Sequence, residues 1–262
     1  MYRTLPLALL CALLLIAPSV AAGFEPPRPA YVALIIDDLG DRWLEGRRAV
    51  DLPGAVTVAV LPHTPHARTL AERAHAAGKE VMLHQPMQPV GEREPGRGAL
   101  LLDMSREELA ATVRANVAAV PHVVGINNHM GSLLTRHPGH MLWLMEELRT
   151  LGGLYFVDSR TTHATIAKQM AREQALPTLG RDVFLDHDPR PIAIEAQWRR
   201  LLAQARRTGA AVGIGHPYPE TLDVLEAVLP ELEGTGVRLV PVSDLLQVTD
   251  QRREPWRVSL SP

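Results

Sequence analysis

Val32-Ala33-Leu34-Ile35-Ile36-Asp37-Asp38-Leu39-Gly40 is the stretch whose reading decides the fold of this chain. Its five leading apolar residues suit a strand buried on both faces, as in a parallel sheet. Two adjacent carboxylates stand where that strand ends, with Gly40 placed for a turn. Side chains alternate across a strand, so Asp37 and Asp38 reach one site only if the backbone turns between them. Neighbouring carboxylates repel and are costly to desolvate, which calls for a metal, a proton or a cation close by. A solvated acidic turn, with a helix cap for the segment from Asp41, is the plainer reading. The pair alone does not choose between them; the other strand ends do.

Outward from this stretch, short apolar runs alternate with helical ones. Residues 42–50 predict a short helix, and residues 55–60 a second buried strand ending in Leu61-Pro62-His63-Thr64-Pro65. Residues 66–77 form an alanine-rich helical run stopped by Gly78. A third strand, 80–83, ends in His84-Gln85-Pro86-Met87-Gln88-Pro89, and residues 91–98 read as a polar, mobile surface loop. Ser105-Arg106-Glu107-Glu108 predicts a capping box on a helix to about residue 120. The fourth strand, 123–126, ends in Asn127-Asn128-His129-Met130-Gly131-Ser132 and leads to a helix over 138–151. Strand five, 154–157, ends in Asp158-Ser159-Arg160, and a helix through Gln174 follows. Strand six, 182–185, ends in Asp186-His187-Asp188; after a helix over 192–208, strand seven, 210–214, ends in Gly215-His216-Pro217-Tyr218. A last helix to Leu232 and a last strand, 237–240, complete the pattern. Seven or eight such rounds predict an α/β protein with a parallel sheet and helices outside it. Closed into a barrel, the sheet brings every strand's carboxyl end into one mouth. An open doubly wound sheet is the alternative, but neither a glycine-rich dinucleotide fingerprint nor a phosphate loop follows the first strand.

The chain opens Met1-Tyr2-Arg3, runs apolar from Leu5 to Ile16 and reaches Ser19-Val20-Ala21-Ala22. That pattern predicts a secretory signal peptide over residues 1–22, cleaved near Ala21 or Ala22. Its apolar run is shorter than the roughly 20 residues a spanning helix needs, so no stable membrane anchor is expected after cleavage. Residues 23–30 read as an extended lead-in, 31–248 as one barrel domain and 249–262 as a tail without usable periodicity. Cys11, the single cysteine, lies within the signal segment. Disulfides and thiolate metal sites are therefore excluded from the mature chain, where a metal would need His, Asp or Glu. A net charge of −2 and the lack of a basic block with interleaved aromatics argue against nucleic acid as a partner. Secretion predicts a periplasmic protein; the sequence names no protein partner.

Read alone, the strand ends supply Asp37-Asp38, His84, Asn128-His129, Asp158, Asp186-His187-Asp188 and His216. A single histidine at a strand end is usually a polar residue meeting solvent. A barrel, however, gathers all of these at one mouth. Histidines and carboxylates without cysteine match zinc or a similar divalent ion with an open water position. The remaining histidines read mostly as surface residues, with His63, which follows strand two, kept as a possible site member.

The segments IIDDLG, LHQPMQP, GINNHMGS, FVDSRTT, FLDHD and GIGHPYPET together resemble the divergent polysaccharide deacetylase family, the YibQ-like branch related to NodB-type carbohydrate esterases. The resemblance spans residues 31–248. It implies a distorted (β/α) barrel of seven to eight parallel strands, of the NodB/glycoside hydrolase-deacetylase type. It also implies Asp37 as catalytic base, Asp38 and His84 as metal ligands, and His216 as catalytic acid. The NodB-type pattern has a second metal histidine four residues after the first, where this chain has Gln88; His129 is the expected replacement ligand. Asp158 or Asp186 is expected to orient His216 or another site histidine. His187 is placed as a supporting residue, and Asn128, Arg160 and Tyr218 as substrate-positioning residues. The implied activity is metal-dependent removal of N-acetyl or similar acyl groups from an exported or peptidoglycan-like polysaccharide. The rival expectation is an inactive glycan-binding or regulatory protein of the envelope on the same barrel, which the loss of a histidine at Gln88 favours.

Overall fold

The computed structural model describes residues 29–253. The expected signal peptide, nearly all of the lead-in and the tail from residue 254 lie outside the described residues. The ten-residue strand β1 (Ala30–Leu39) is the central strand, and Val32 to Ile36 within it are fully buried. After it come α1 (Trp43–Asp51), β2 (Thr57–Val60), α2 (Ala67–Ala76), β3 (Glu80–Met87), α3 (Arg106–Ala119) and β4 (Val123–Met130). The middle of the chain forms α4 (Pro138–Leu151), β5 (Tyr155–Asp158), α5 (Ala167–Glu173), β6 (Thr178–Gly180) and β7 (Val183–Phe184). The chain closes with α6 (Pro191–Thr208), β8 (Ala210–Gly215), α7 (Pro219–Val228), β9 (Val237–Leu239) and α8 (Val242–Arg253).

All strand pairings are parallel, in the order β6-β5-β4-β3-β2-β1-β8-β7 with β9 added to β1. One edge of β1 pairs with β8 from Tyr31 to Ile36. The other edge is shared end to end by β9, at Ala30 to Val32, and β2, from Ile35 onward. The two ends of the sheet, β6 and β7, are separated in the chain by Arg181 and Asp182 alone. The Arg181 amide bonds Asp158 O at 3.0 Å and the Asp182 amide bonds Val212 O at 2.9 Å. The chain itself therefore steps from β5 to β8, and the sheet curls into the distorted barrel expected from the alternating pattern.

Alternation along the strands separates two cores. Val32, Leu34 and Ile36 face the helices, whereas Ala33 and Ile35 join Met82, Tyr155, Val157, Val212 and Ile214 inside the barrel. Gly125 lies opposite Tyr155 in the sheet, and a Cβ there would sit 2.2 Å from the Tyr155 ring, so only glycine leaves room for it. Val242, Leu245 and Leu246 of α8 plug the end of the barrel opposite the mouth. The start of α8 is held by Glu80, which accepts from the Ser243 amide, the Tyr155 hydroxyl and the Thr57 hydroxyl.

Several elements differ from expectation. α8 covers residues to which the sequence pattern assigned no element and runs past residue 248 to Arg253; Val242, Leu245 and Leu246 inside the barrel and Glu80 at the helix start hold it. β6 has three residues, too few for a periodic signal. β3 continues through Pro86 to Met87, since its partner β4 runs alongside to Met130 and Pro86 O accepts from the Leu100 amide. The capping box at Ser105 forms as predicted, with the Glu108 amide bonding Ser105 Oγ and the Ser105 amide bonding Glu108 Oε2.

Candidate functional site

The parity that sends Ala33 and Ile35 inward also sends Asp37 inward. Asp38 would point the other way, but its φ of 58° and the register shift between Ile36 and Leu39 turn it into the same mouth. On β3 the inward set is Met82 and then His84; on β4 it is Gly125, Asn127 and His129. Register places Asn127 directly beside His84. Asn127 Nδ2 donates to Asp37 Oδ1 at 2.7 Å, so its Oδ1 is left to accept from His84 Nδ1, also at 2.7 Å. That assignment leaves Nε2 of a neutral His84 bare and aimed into the mouth.

Three ligand-type atoms converge there. Asp38 Oδ1 lies 2.8 Å from His129 Nδ1 and 3.1 Å from His84 Nε2, and the two nitrogens are 3.1 Å apart. Asp38 Oδ1 is buried without a well-directed hydrogen bond from either ring. An ion bonded at ~2.0–2.1 Å in tetrahedral geometry needs donors ~3.3 Å apart, close to the spacing seen. Two imidazoles and one carboxylate are also the donor set that zinc and related divalent ions take. The residues fit a divalent ion.

Asp37 and His216 flank this cluster. Asp37 Oδ2 lies 3.7 Å from His84 Nε2, and His216 Nε2 lies 3.8 Å from Asp38 Oδ2. Burial raises the Asp37 carboxyl above its ordinary range, against the pull of His84, His216 and the Asn127 amide. Burial also opposes ionisation of Asp38, but the His129 and His84 rings outweigh it and hold that carboxyl well below the carboxylate range. His216 Nδ1 faces Asp186 Oδ1 at 3.0 Å, while Asp186 Oδ2 accepts from the His216 amide and from Thr221 Oγ1. Burial works against charging His216, yet Asp186 with Asp38 and Asp37 lifts the ring to about 9. Tyr218 stacks on the same ring at 5.3 Å and Phe184 meets it edge-on at 5.2 Å.

A cavity of about 570 Å³ opens above these groups, bordered by Asn128, Arg160, His187 and Tyr218 among the expected residues. Asn128 has little left for a ligand, because its amide donates to Met130 O and accepts from the Ser159 amide. Asp158 is a correction: it does not border the cavity or touch His216, and instead accepts from the Arg160 amide, Thr165 Oγ1 and the Lys168 amide. Asp186 is the carboxylate that orients His216. His63 stands apart from the ligand cluster and bonds Asn116 Oδ1 at 2.8 Å beside a second cavity. His140, read as surface, is buried in α4 between His137 and Trp143. Asn127 and Arg181 were missed. Alternation from His129 would have found Asn127; Arg181 follows a strand too short to predict.

A family model described as divergent polysaccharide deacetylase matches residues 34–246. The chain belongs to the divergent polysaccharide deacetylase family. It is 38% identical over 259 residues to the uncharacterized protein YibQ of Escherichia coli K12, covering 94% of this chain and 78% of YibQ. A crystal structure of an uncharacterized Agrobacterium tumefaciens protein superposes with a TM-score of 0.79 at 25% identity, over 83% of this chain and 89% of the other. The peptidoglycan deacetylase PdaC of Bacillus subtilis shares the fold at a TM-score of 0.57 and 17% identity, over 90% of this chain and all of that one. This member of the deacetylase family departs from the NodB-type pattern at Gln88. There the side chain accepts from the Leu102 amide at 2.7 Å, and His129 on the adjacent strand stands in the ligand cluster.

Proposed function

We propose that this chain is an exported, divalent-metal-dependent hydrolase that removes N-acetyl or similar acyl groups from a polysaccharide of the cell envelope. The observation that carries this reading is the placement of a base and an acid, Asp37 and His216, on either side of the Asp38–His84–His129 cluster in one cavity. Signal-peptide character at the N-terminus supports export to the periplasm, where such a glycan would be met. Asp38, His84 and His129 would hold the ion, zinc being the metal that their donor set suits best. When bound, the ion acts as a Lewis acid toward the acyl carbonyl and lowers the pKa of water.

The chain's own groups do the rest. Asp37 is positioned by the Asn127 amide and takes the proton of the attacking water at its free oxygen. His216 Nδ1–H hydrogen-bonds to Asp186 Oδ1, and the protonated ring keeps its Nε2 proton facing the cavity for transfer to the departing amine. Phe184 and Tyr218 wall the imidazole on two sides and limit its rotation. Products are the free acid, acetate in the simplest case, and an amino sugar.

The rival is a glycan-binding or regulatory protein without turnover, favoured by the absence of a histidine at Gln88. Zinc-loaded mature protein, given N-acetylglucosamine oligomers, should release acetate, and Asp37→Asn or His216→Ala should slow it by about 10²–10⁴-fold. Release at the wild-type rate in either variant would remove these roles. Metal bound and oligomers bound, with no acetate released, would favour the rival.

A further inference from the structure

Beyond the reacting groups, the cavity carries positive charge that the reaction does not use. Strand order places Asp37, Asp38, His84 and His129 on β1, β3 and β4, and His216 after β8. Arg160 and Arg181 follow β5 and β6, between the ligands and the acid on the far side of the mouth from β2. Arg93 reaches the same cavity from the loop after β3. None of the three arginines is ion-paired with a carboxylate among the described residues.

Arg160 and Arg181 are held together by exchanged bonds. Arg160 Nη1 donates to Arg181 O at 3.1 Å, and Arg181 Nη2 donates to Arg160 O at 2.8 Å. Arg181 Nε also bonds Ser159 O, and its guanidinium lies 4.9 Å from the Phe184 ring centre. Arg160 sits at φ 50°, an unfavourable backbone conformation for arginine, with its amide fixed on Asp158 Oδ1 at 2.9 Å. Gly180 makes the room: a Cβ there would stand 3.1 Å from Arg160 Nε. The two guanidiniums repel each other, an effect that the more distant carboxylates of Asp37, Asp158 and Asp182 offset at Arg181, and an anion between Arg160 and Arg93 would supply the direct ion pair that neither has among the described residues.

We propose that the glycan taken by this site is acidic, a carboxylate- or phosphate-bearing sugar whose anionic group docks on Arg160 and Arg93 while its acylated nitrogen lies at the Asp37–His216 side. The assignment of the acylated nitrogen rests on the hydrolase reading; the recognition of an anion is tested without turnover.

Binding is measured on the zinc-loaded mature Asp37→Asn protein with three probes. These are a neutral N-acetylglucosamine tetramer, the same tetramer oxidised to carboxylates at C6, and the same tetramer phosphorylated at C6. One or both anionic tetramers should bind about tenfold or more tighter than the neutral one. Which of them does so identifies the group. An Arg93→Gln/Arg160→Gln double variant should lose the preference, and Arg160→Lys should keep part of it. Arg93→Gln alone, on an exposed loop, tests the same point if the double variant fails to fold, and should weaken the preference. Equal binding of all three, binding of none, or a preference that survives these glutamine substitutions overturns the proposal. Acetate release by the wild-type protein on the same tetramers is scored separately, so failure of the hydrolase reading is told apart from failure of this one.

Discussion

Asp38 is the residue at which the strand rule breaks, and the break makes the site. Its left-handed backbone aims a second carboxylate into the mouth that Asp37 already faces. The two then titrate in opposite directions, Asp37 upward through burial and Asp38 downward through its histidines. Such divergence supports the proposed division of roles, Asp37 as base and Asp38 as metal ligand. His216 carries the clearest pH signature. Its folded pKa lies above the ordinary 6.5, so in the metal-free protein it stabilises the fold fully below about 6.5, and that stability fades as pH rises through about 9. The contribution is up to about 3 kcal/mol, readable by urea unfolding between neutral and alkaline pH. Asp186→Asn should shrink this pH dependence and move the alkaline limb of any rate profile downward. An unchanged profile would show that Asp186 does not set the His216 proton affinity.

At the element scale, the proposed histidine ligands are divided between the neighbouring strands β3 and β4. Parallel register sets His84 beside Asn127, and His129 follows two residues on, on the same face of β4. Gln88 lies beyond the end of β3, tied to the Leu102 amide. Gln88→His is therefore expected to leave metal stoichiometry unchanged and to lower stability by about 1 kcal/mol through the lost hydrogen bond. A gain in metal affinity by that variant would show that position 88 can still reach the ion. The two histidines were legible as strand-end residues, and the missing histidine at position 88 was legible as a gap. Alternation puts Asn127 on the face of His129, but whether Asn127 or Asn128 meets His84 stays open until β3 and β4 pair. Asp158 and Asp186 presented the same ambiguity. Each ends a strand, and only the pairing of β7 with β8 brings Asp186 to His216.

For the whole molecule, the proposed ligand atoms come from three strands, β1, β3 and β4, so a bound ion cross-links segments 45 or more residues apart in sequence. Zinc at ~100 times its Kd should then stabilise the folded protein by about 2.7 kcal/mol, seen as a rise in Tm over the metal-free form. His84→Ala/His129→Ala should abolish that rise and the stoichiometric metal. An equal rise in the double variant would place the ion elsewhere. Because carboxylates beside His84 favour its protonated form against the cost of burial, metal uptake should also weaken as pH falls.

Repeating apolar runs, each closed by a polar strand end, were enough to specify a parallel barrel with one chemically rich mouth, because strand and helix periods are local properties of the chain. The same local signals marked Asp37, Asp38, His84, His129 and His216. What local signals do not carry is the direction a side chain takes after the regular strand ends, or the partner it meets from a distant segment. The turn at Asp38, the bracing of Arg160 on Arg181, the burial of His140 and the docking of α8 on Glu80 all depend on contacts between segments far apart in sequence. Only closure of the barrel brings those segments together, and only closure decides which polar residues become a site and which hold it in place.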